Sequence, residues 1–228
     1  MTKQKIFSVL SCAVLLSISA SAAISEEASW QSLPIRVACV GDSITYGFGI
    51  NNRAKESYPA QLEVLLGDPW IVGNFGRNGA TVLKKGRVPY WTTKSYKAAL
   101  KFKPNVVIIK LGTNDSRPEN VGTHKVDFVP DYLELIRTFQ NLEGNPTVWI
   151  CYPVPIYTER KGMTDTVVKN EIIPLITEVA ARAGVEVIDL NRALSNKVEL
   201  FFDGLHPNAN GAKRIAQIVA AVLAGKDN

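Results

Sequence analysis

The chain has 228 residues, with 46% hydrophobic and 21% charged side chains and a formal net charge of +5 at pH 7. This length and balance are typical of one globular domain with a substantial core. The mild excess of positive charge is not concentrated in a basic block, and the sequence contains no RNA- or DNA-binding motif. These observations argue against a nucleic acid as partner.

The first 22 residues have the three-part pattern of a secretory signal peptide. Lys3 and Lys5 form a positive start, residues 6–18 are mostly apolar, and Ala20-Ser21-Ala22 is a small-residue cleavage site. The apolar stretch is too short for a membrane anchor, although an uncleaved interfacial helix is an alternative. We therefore predict export, to the periplasm or beyond the cell, and a single domain over residues 23–228.

Five short apolar runs rich in β-branched residues follow one another along this domain. They are continuous rather than alternating, which is typical of parallel strands covered on both faces. The predicted strands are residues 35–40, 70–75, 106–111, 147–152 and 185–190.

Helical patterns alternate with these runs. The apolar positions repeat at helical spacing within residues 57–67, 96–104, 128–139, 172–184 and 215–225. Alternating strands and helices predict an α/β fold, specifically a three-layer α/β/α sandwich with right-handed crossovers. Five strands favour a flavodoxin-like parallel sheet in the order 2-1-3-4-5.

Unusual polar clusters follow four of the five predicted strands. Gly41-Asp42-Ser43 follows the first, residues 74–81 follow the second, Gly112-Thr113-Asn114-Asp115 follows the third, and residues 203–206 come after the fifth. In open α/β sheets, ligands bind beyond the carboxyl ends of the strands. The four clusters are therefore expected to meet at one edge of the sheet.

Three residues of these clusters have the chemistry of a Ser-His-Asp hydrolase. Ser43 needs a base to take its proton during attack, and imidazole is suited to that task because it changes its protonation state near neutral pH. The chain has only two histidines, and His124 lies in a predicted polar loop, so His206 is the candidate base. Asp203, three residues before it, is placed to orient the ring.

The same clusters offer donors for an oxyanion hole. A developing oxyanion needs hydrogen-bond donors that are already in place. The candidates are the backbone N–H groups of Ser43 and Gly79 and the side-chain amide of Asn114. Glycine at position 79 lets the main chain approach closely and take a positive φ.

Each of these residues also has a structural explanation when it is taken alone. Ser43 could cap a helix, Gly79 could be an ordinary turn glycine, and Asn114 could bind its own backbone in a turn. Asp203 could be a surface carboxylate, and His206 could be a structural histidine before a proline-started helix. The hydrolase interpretation differs in that it accounts for all five together.

The two cysteines outside the predicted signal peptide, Cys39 and Cys151, fall in predicted buried strands. We interpret them as small apolar core residues, although export would permit a disulfide. No Cys/His spacing indicates a metal site, and we predict neither a metal nor another cofactor.

Taken in order, the motifs resemble those of the SGNH/GDSL hydrolase superfamily. Gly41-Asp42-Ser43-Ile44-Thr45 is similar to its first block and residues 74–81 to its second. Gly112-Thr113-Asn114-Asp115 is similar to the third, and Asp203-Gly204-Leu205-His206-Pro207 to the fifth. The blocks span nearly the whole chain after the signal peptide.

The resemblance implies a flavodoxin-like fold and metal-free ester hydrolysis through an acyl-serine intermediate. It places Ser43, Asp203 and His206 at the catalytic positions. It also places Gly79 at the oxyanion glycine, because of its spacing from Asn74; Gly76 is the alternative. The surrounding sequence is most similar to bacterial GDSL domains described as sialate O-acetylesterases or acetylxylan esterases.

The loops are expected to choose the substrate. Tyr90 and Trp91 are candidates for stacking on a sugar ring, and the cations Lys84, Lys85 and Arg87 in the same loop are candidates for contact with an acidic sugar. The alternative is that the aromatic rings pack under the loop and the cations are solvated. The loop of residues 153–166, with Tyr157, Arg160 and Lys161, is open to the same two interpretations.

We predict a carbohydrate O-acetylesterase acting on an acylated glycan or small molecule. No long apolar lid is evident in the sequence, which disfavours long-chain lipids, and an acetyl group needs only a small apolar recess. A lysophospholipase or acyl-thioester hydrolase with the same triad is one alternative. A non-catalytic glycan-binding module is another. Nothing in the sequence indicates the oligomeric state.

Overall fold

The computed structural model describes residues 33–225. The predicted signal peptide, residues 1–22, lies outside them. Within the described residues, five strands form one parallel sheet in the order β2-β1-β3-β4-β5, which confirms the predicted fold class and strand order. The strands are β1 Ile35–Gly41, β2 Trp70–Gly76, β3 Val106–Lys110, β4 Thr147–Cys151 and β5 Glu186–Ile188.

Helices connect the strands and cover both faces of the sheet. The longer ones are α3 Tyr58–Leu66, α4 Lys94–Lys101, α5 Val121–Gln140, α7 Ile173–Ala183 and α9 Ala209–Leu223. The short ones are α1 Ser43–Tyr46, α2 Arg53–Glu56, α6 Asp165–Val167 and α8 Leu190–Ala193. A π-helical turn, Val168–Ile172, joins α6 to α7.

Helix ends follow the local signals in the sequence. Pro59 lies in the first turn of α3, where the missing N–H has no intrahelical partner to lose. Gly184 ends α7 in the left-handed conformation with φ of 64°, which an L-residue with a side chain adopts only at a cost. α5 begins earlier than predicted and includes His124, at a kink with non-helical backbone angles.

The alternation of side chains along the central strands divides the core in two. Ala38 and Val40 of β1 face one cluster, which α4, α5 and α7 cover. Val37 and Cys39 face the other, which α3 and α9 cover. Because both faces are buried, these strands are apolar at nearly every position, and each fully buried Val or Ile contributes roughly 1.5–3 kcal/mol.

Cys39 and Cys151 lie in the α3/α9 side of this core. Both are buried and are not bonded to each other. Burial raises the pKa of the Cys39 thiol to about 12, against a smaller opposing contribution from its hydrogen bond with Tyr58. Both cysteines are therefore inert packing residues in the folded chain.

Over residues 33–225, no helix combines the length and the apolar character that crossing a bilayer requires.

Candidate active site

The turn after β1 presents Ser43. β1 ends at Gly41, and Asp42 caps the short helix α1, because its side chain accepts a hydrogen bond from the Ile44 N–H at 2.9 Å. A side chain on Gly41 would collide with Thr45 and with the backbone of Lys110. Only glycine therefore lets the chain turn at this point and place Ser43 at the first position of α1.

A buried ion pair fixes the same turn. Lys110, the last residue of β3, is fully buried, and its Nζ lies 3.0 Å from Asp42 Oδ2 and 2.8 Å from Thr113 Oγ1. Asp42 is buried as well. Two opposite charges removed from water together are stable only when each has close partners. The pair therefore ties the turn that carries Ser43 to the end of the neighbouring strand.

Ser43, His206 and Asp203 form one hydrogen-bonded chain. Ser43 Oγ lies 3.0 Å from His206 Nε2, although the two residues are 163 positions apart in the sequence. His206 Nδ1 lies 2.8 Å from Asp203 Oδ2. The structure thus brings together the three residues that the sequence proposed as nucleophile, base and orienting carboxylate.

Asp203 is held by donors on both of its oxygens. Oδ1 accepts hydrogen bonds from the backbone N–H groups of His206, at 2.7 Å, and Leu205, at 3.0 Å. Oδ2 lies 2.6 Å from Arg160 Nη1 in addition to the histidine ring. Burial alone would raise the pKa of Asp203, but the hydrogen bonds from the backbone and ring of His206 outweigh it, and the pKa is lowered.

Two aromatic rings flank the imidazole. The Phe48 centroid lies 4.7 Å from that of His206, and the Phe202 ring stacks on it at 5.8 Å with an interplanar angle of 19°. With Asp203 at Nδ1, these contacts leave the ring one orientation, in which Nε2 faces the serine.

The candidate oxyanion donors face the same cavity. Ser43, Gly79 and Asn114 all line it, and Gly79 has φ of 78°. No acceptor within the described chain engages the backbone N–H of Ser43 or of Gly79. Asn114 Nδ2 donates one hydrogen bond to the Ala80 carbonyl at 3.2 Å, so its second hydrogen remains available.

Gly76 and Gly79 have different surroundings. A side chain at Gly76 would collide with the backbone of Tyr46 in α1, so this glycine serves close packing of β2 against α1. A Cβ at Gly79 would meet only Val88, at 3.6 Å. Of the two, Gly79 is the residue that lines the cavity.

Asp115 supports the loop that carries Gly79. Its two carboxylate oxygens accept the backbone N–H groups of Val82, at 3.1 Å, and Leu83, at 3.0 Å. Because the side chain is fully buried, desolvation raises its pKa to about 7 against these two hydrogen bonds. Asp115 therefore joins the loop after β2 to the loop after β3.

The cavity beside Ser43 has a volume of about 300 Å³. Its apolar wall is formed by Phe48, Val88, Met163 and Leu205. The volume lies at the lower end of the range for small-molecule sites. No group of three or more His, Cys, Asp or Glu side chains in residues 33–225 is placed to hold a metal ion.

The structure does not place Tyr90 and Trp91 at the cavity. Tyr90 is fully buried, and its hydroxyl donates to the Phe75 carbonyl at 2.8 Å. Trp91 packs against the core, and its indole N–H donates to the Val82 carbonyl at 2.9 Å. The packing alternative therefore describes both rings, because they pack beneath the loop and their polar atoms bond to backbone carbonyls of the protein.

The cations that the sequence suggested fall into two groups. Lys84 pairs with Glu134 at 2.6 Å and Lys85 with Asp127 at 3.0 Å, away from the cavity. Arg87, Arg160 and Lys161 line the cavity.

Sequence reasoning assigned no role to Lys110, to Asp115 or to Arg117, which also lines the cavity, and did not connect Arg160 with Asp203. Lys110 left a usable signal, since a lysine that ends a strand of four apolar residues needs a buried partner. The contact of Arg160 with Asp203 joins two loops far apart in sequence, and no local sequence pattern predicts it.

A serine at the carboxyl end of a parallel strand, touching a histidine that an aspartate holds, is the arrangement of a serine hydrolase. The chain belongs to the GDSL-like Lipase/Acylhydrolase family, whose sequence profile matches residues 39–214. This membership confirms the resemblance drawn from the motifs.

One curated relative is an acetylxylan esterase from Xylanibacter ruminicola, 42% identical over 207 residues. The alignment covers 83% of this chain and 43% of the relative, so the chain spans less than half of that protein's length.

Solved structures share the fold. A carbohydrate acetylesterase from Sinorhizobium meliloti superposes with a TM-score of 0.68 at 20% identity, covering 84% of this chain and 99% of that one. An aryl esterase from M. smegmatis superposes with a TM-score of 0.68 at 16% identity, covering 85% and 100%.

Proposed function

We propose that this protein is a serine esterase that removes O-acetyl groups from carbohydrates. The observation that carries the proposal is the continuous chain from Ser43 Oγ through the His206 ring to the Asp203 carboxylate. Its open end, the serine hydroxyl, faces a cavity that also contains the candidate oxyanion donors.

Acylation begins with attack of Ser43 Oγ on the ester carbonyl carbon while His206 Nε2 takes the hydroxyl proton. The carbonyl π electrons move to oxygen, where the N–H groups of Ser43 and Gly79 and the amide of Asn114 stabilise the negative charge. Asp203 stabilises the imidazolium. As the tetrahedral intermediate collapses, His206 donates its proton to the departing sugar oxygen, and an acetyl-serine remains.

Deacylation repeats these steps with water. His206 Nε2 takes a proton from a water molecule as its oxygen attacks the acetyl carbonyl carbon. Collapse of the second intermediate returns the proton to Ser43 Oγ and releases acetate. No step requires a metal ion or another cofactor.

The shape and lining of the cavity favour a short acyl group. A cavity of about 300 Å³ is small for a long alkyl chain, and part of its wall is cationic. A methyl group needs only a small apolar recess, such as Phe48, Val88 and Leu205 could provide.

The carbohydrate part of the proposal rests on the relatives. The acetylxylan esterase that is 42% identical to this chain acts on an acetylated polysaccharide by its name. The fold shared with a carbohydrate acetylesterase agrees with that assignment without specifying a sugar.

Acetate release from acetylated xylan, mannan, pectin and sialic acid tests the proposal, with Ser43→Ala as the blank. We expect release from at least one substrate and none above background with Ser43→Ala. That variant should unfold at the same denaturant concentration as the wild type, since it removes one hydroxyl from a helix start. Undiminished turnover by folded Ser43→Ala would contradict the assignment of the nucleophile.

A series of p-nitrophenyl esters separates the esterase alternatives. For an acetylesterase, kcat/KM falls from acetate to octanoate and decanoate. A rate that rises with chain length would favour a lysophospholipase or acyl-thioester hydrolase. Tight glycan binding by folded protein without any ester turnover would favour a binding module.

We also propose that the protein is exported after cleavage behind Ala22, on the basis of its N-terminal pattern. Expression of the full chain in a bacterial host should yield a protein outside the cytoplasm that begins at Ala23, as measured by intact mass. Retention of residues 1–22 would contradict this.

A further inference from the structure

The charged side chains that line the cavity beside Ser43 are all of one sign. Four of the residues that line it are cationic, namely Arg87, Arg117, Arg160 and Lys161. Among the described residues that line it, none is an aspartate or a glutamate. The substrate therefore meets a positive field at the point where its ester must bind.

These cations are carried by fixed backbone. The Arg87 N–H donates to Asn120 Oδ1 at 3.1 Å. Lys161 and Gly162, with φ of 54° and 73°, form a tight hairpin that hydrogen bonds between Arg160 and Met163 close at 3.2 and 3.0 Å. Met163 is buried, which anchors this hairpin at the cavity wall. The cations are thus presented by ordered loops.

The cations at the cavity are poorly compensated. Arg87 and Lys161 form no ion pair with any carboxylate of residues 33–225, whereas Lys84 and Lys85, in the same loop as Arg87, are both paired. Arg160 pairs with Asp203 at 2.6 Å, and Arg117 has a longer pair with Glu119 at 3.8 Å.

Arg117 has the least favourable surroundings. Only 11% of its side chain is exposed, and Glu119, its carboxylate neighbour, is 3.8 Å away. Its Nε is buried without a hydrogen-bond partner in the described chain. Its Nη2 donates only a long hydrogen bond, to Asn114 Oδ1 at 3.5 Å. A guanidinium largely removed from water with such weak partners is destabilising, and an anion in the cavity would relieve that.

We propose that the O-acetylated glycan bound here carries a carboxylate close to its ester, so that the substrate is an acidic glycan with uronic acid substituents. The inference rests on the esterase function proposed above and adds the charge of its substrate. Oxidation of a sugar's primary alcohol gives a carboxylate, and guanidinium groups bind that group through paired N–H donors. Arg87 and Lys161 hold the carboxylate, and the field of all four cations draws the glycan to the cavity.

The test compares two acetylated xylo-oligosaccharides that differ only in one glucuronic acid branch. We expect kcat/KM for acetate release to be about tenfold higher with the branch, the scale of one charge-assisted hydrogen bond. The double variant Arg87→Gln Lys161→Gln should bring the ratio of the two kcat/KM values close to one. Lys85→Gln, in the same loop but outside the cavity, is the matched control and should keep the wild-type ratio.

Ionic strength provides a second measurement. Raising the salt concentration from about 0.01 to 0.3 M shortens the Debye length from about 30 to below 10 Å, so the preference of the wild type should shrink. In the double variant, which keeps Arg117 and Arg160, the ratio should change much less with salt than in the wild type.

Three outcomes overturn the inference. Equal kcat/KM on the two oligosaccharides, with turnover that Ser43→Ala abolishes, removes the acidic substrate and leaves the esterase in place. An equal preference for a sulfated branch removes the carboxylate in favour of any anion. Absence of acetate release from every substrate removes the esterase function and the inference together.

Discussion

Asp203 positions both the ring and the backbone of His206. Its Oδ2 holds Nδ1 of the ring, and its Oδ1 holds the histidine's own N–H at 2.7 Å. One side chain therefore orients the candidate base and shapes the segment that carries it. Loss of this carboxylate would release the ring and unfasten the turn together.

Asn114→Ala should lower kcat about 10²–10³-fold on p-nitrophenyl acetate, the scale on which removal of one oxyanion donor acts. KM should change much less, because the donor acts on charge that develops in the transition state. Steady-state kinetics measures both values. A proportionate rise in KM with constant kcat would instead assign Asn114 to substrate binding.

Arg160→Gln should move the acid limb of the pH–rate profile to higher pH. The reason is that Arg160 Nη1 and His206 Nδ1 share Asp203 Oδ2, so the arginine offsets part of the carboxylate's attraction for a protonated ring. The other cations at the cavity, Arg87, Arg117 and Lys161, remain in place. The measurement is kcat/KM on p-nitrophenyl acetate between pH 4 and 9.

Arg160→Lys is the matched control for that shift, because it keeps a cation beside Asp203. Its acid limb should lie closer to the wild type than that of Arg160→Gln. An acid limb that moves to lower pH in Arg160→Gln would show that the arginine does not act through Asp203.

At the scale of the elements, the loop after β2 depends on the positive φ of Gly79, which lines the cavity. Gly79→Ala should reduce kcat/KM at least about tenfold, because a side chain at φ of 78° strains the backbone that presents the N–H. Gly184→Ala, at the end of α7 with φ of 64° and open space around it, carries the same strain far from the cavity. It should lower the free energy of unfolding by about 1–2 kcal/mol without changing kcat/KM. Equal kinetic effects would contradict a local role for Gly79.

The junction of β1 and β3 depends on the buried pair of Asp42 and Lys110. Lys110→Met should lower the free energy of unfolding by about 3–5 kcal/mol, because it leaves the Asp42 charge buried without its partner. The double variant Asp42→Asn Lys110→Met should recover part of this loss, since asparagine can still cap α1 without a charge. Urea unfolding of the single and double variants measures the difference. A double variant less stable than Lys110→Met would contradict this account.

The secondary-structure elements were the part of the fold that the sequence predicted best. The continuous apolar runs located all five strands, because a strand buried on both faces has few polar positions to interrupt it. Pro59 and Gly184 marked helix ends through backbone chemistry alone. The start of α5 was missed, since the turn at Val121 precedes the apolar repeat and is set by contacts of Asp115 and Asn120.

At the scale of the whole molecule, Asp115 makes stability depend on pH. Its folded pKa is about 7 against an ordinary value of 3.8, so the folded state binds an extra proton between these values. Its contribution to stability is therefore complete below about pH 4 and is lost as the pH rises towards 7. The loss amounts to roughly 4 kcal/mol at most.

Asp115→Asn removes this titration. The variant also loses one of the two backbone hydrogen bonds, so it should be less stable than the wild type at pH 5. The gap in free energy of unfolding should narrow when both proteins are measured at pH 8. A gap that widens with pH would mean that the carboxylate is stabilised in its charged form.

The sequence predicted residues of the candidate site only where a short motif contained them. Ser43, Asp203 and His206 each sit in a short signature, and the sheet order brings those signatures to one edge. Tyr90 and Trp91 were misplaced as sugar contacts because an aromatic residue in a long loop has the same sequence whether it faces solvent or the core. The pairing of Arg160 with Asp203 is a contact between loops, which only the folded chain defines.

The two thiols buried beneath α3 and α9 allow opening of the folded protein to be measured. A reagent that alkylates Cys39 or Cys151 must wait until the sheet opens, since burial keeps both as unreactive thiols. The rate of labelling at those positions, followed by mass spectrometry, therefore counts opening events directly. The two cysteines therefore report how often the core of the protein becomes accessible to solvent.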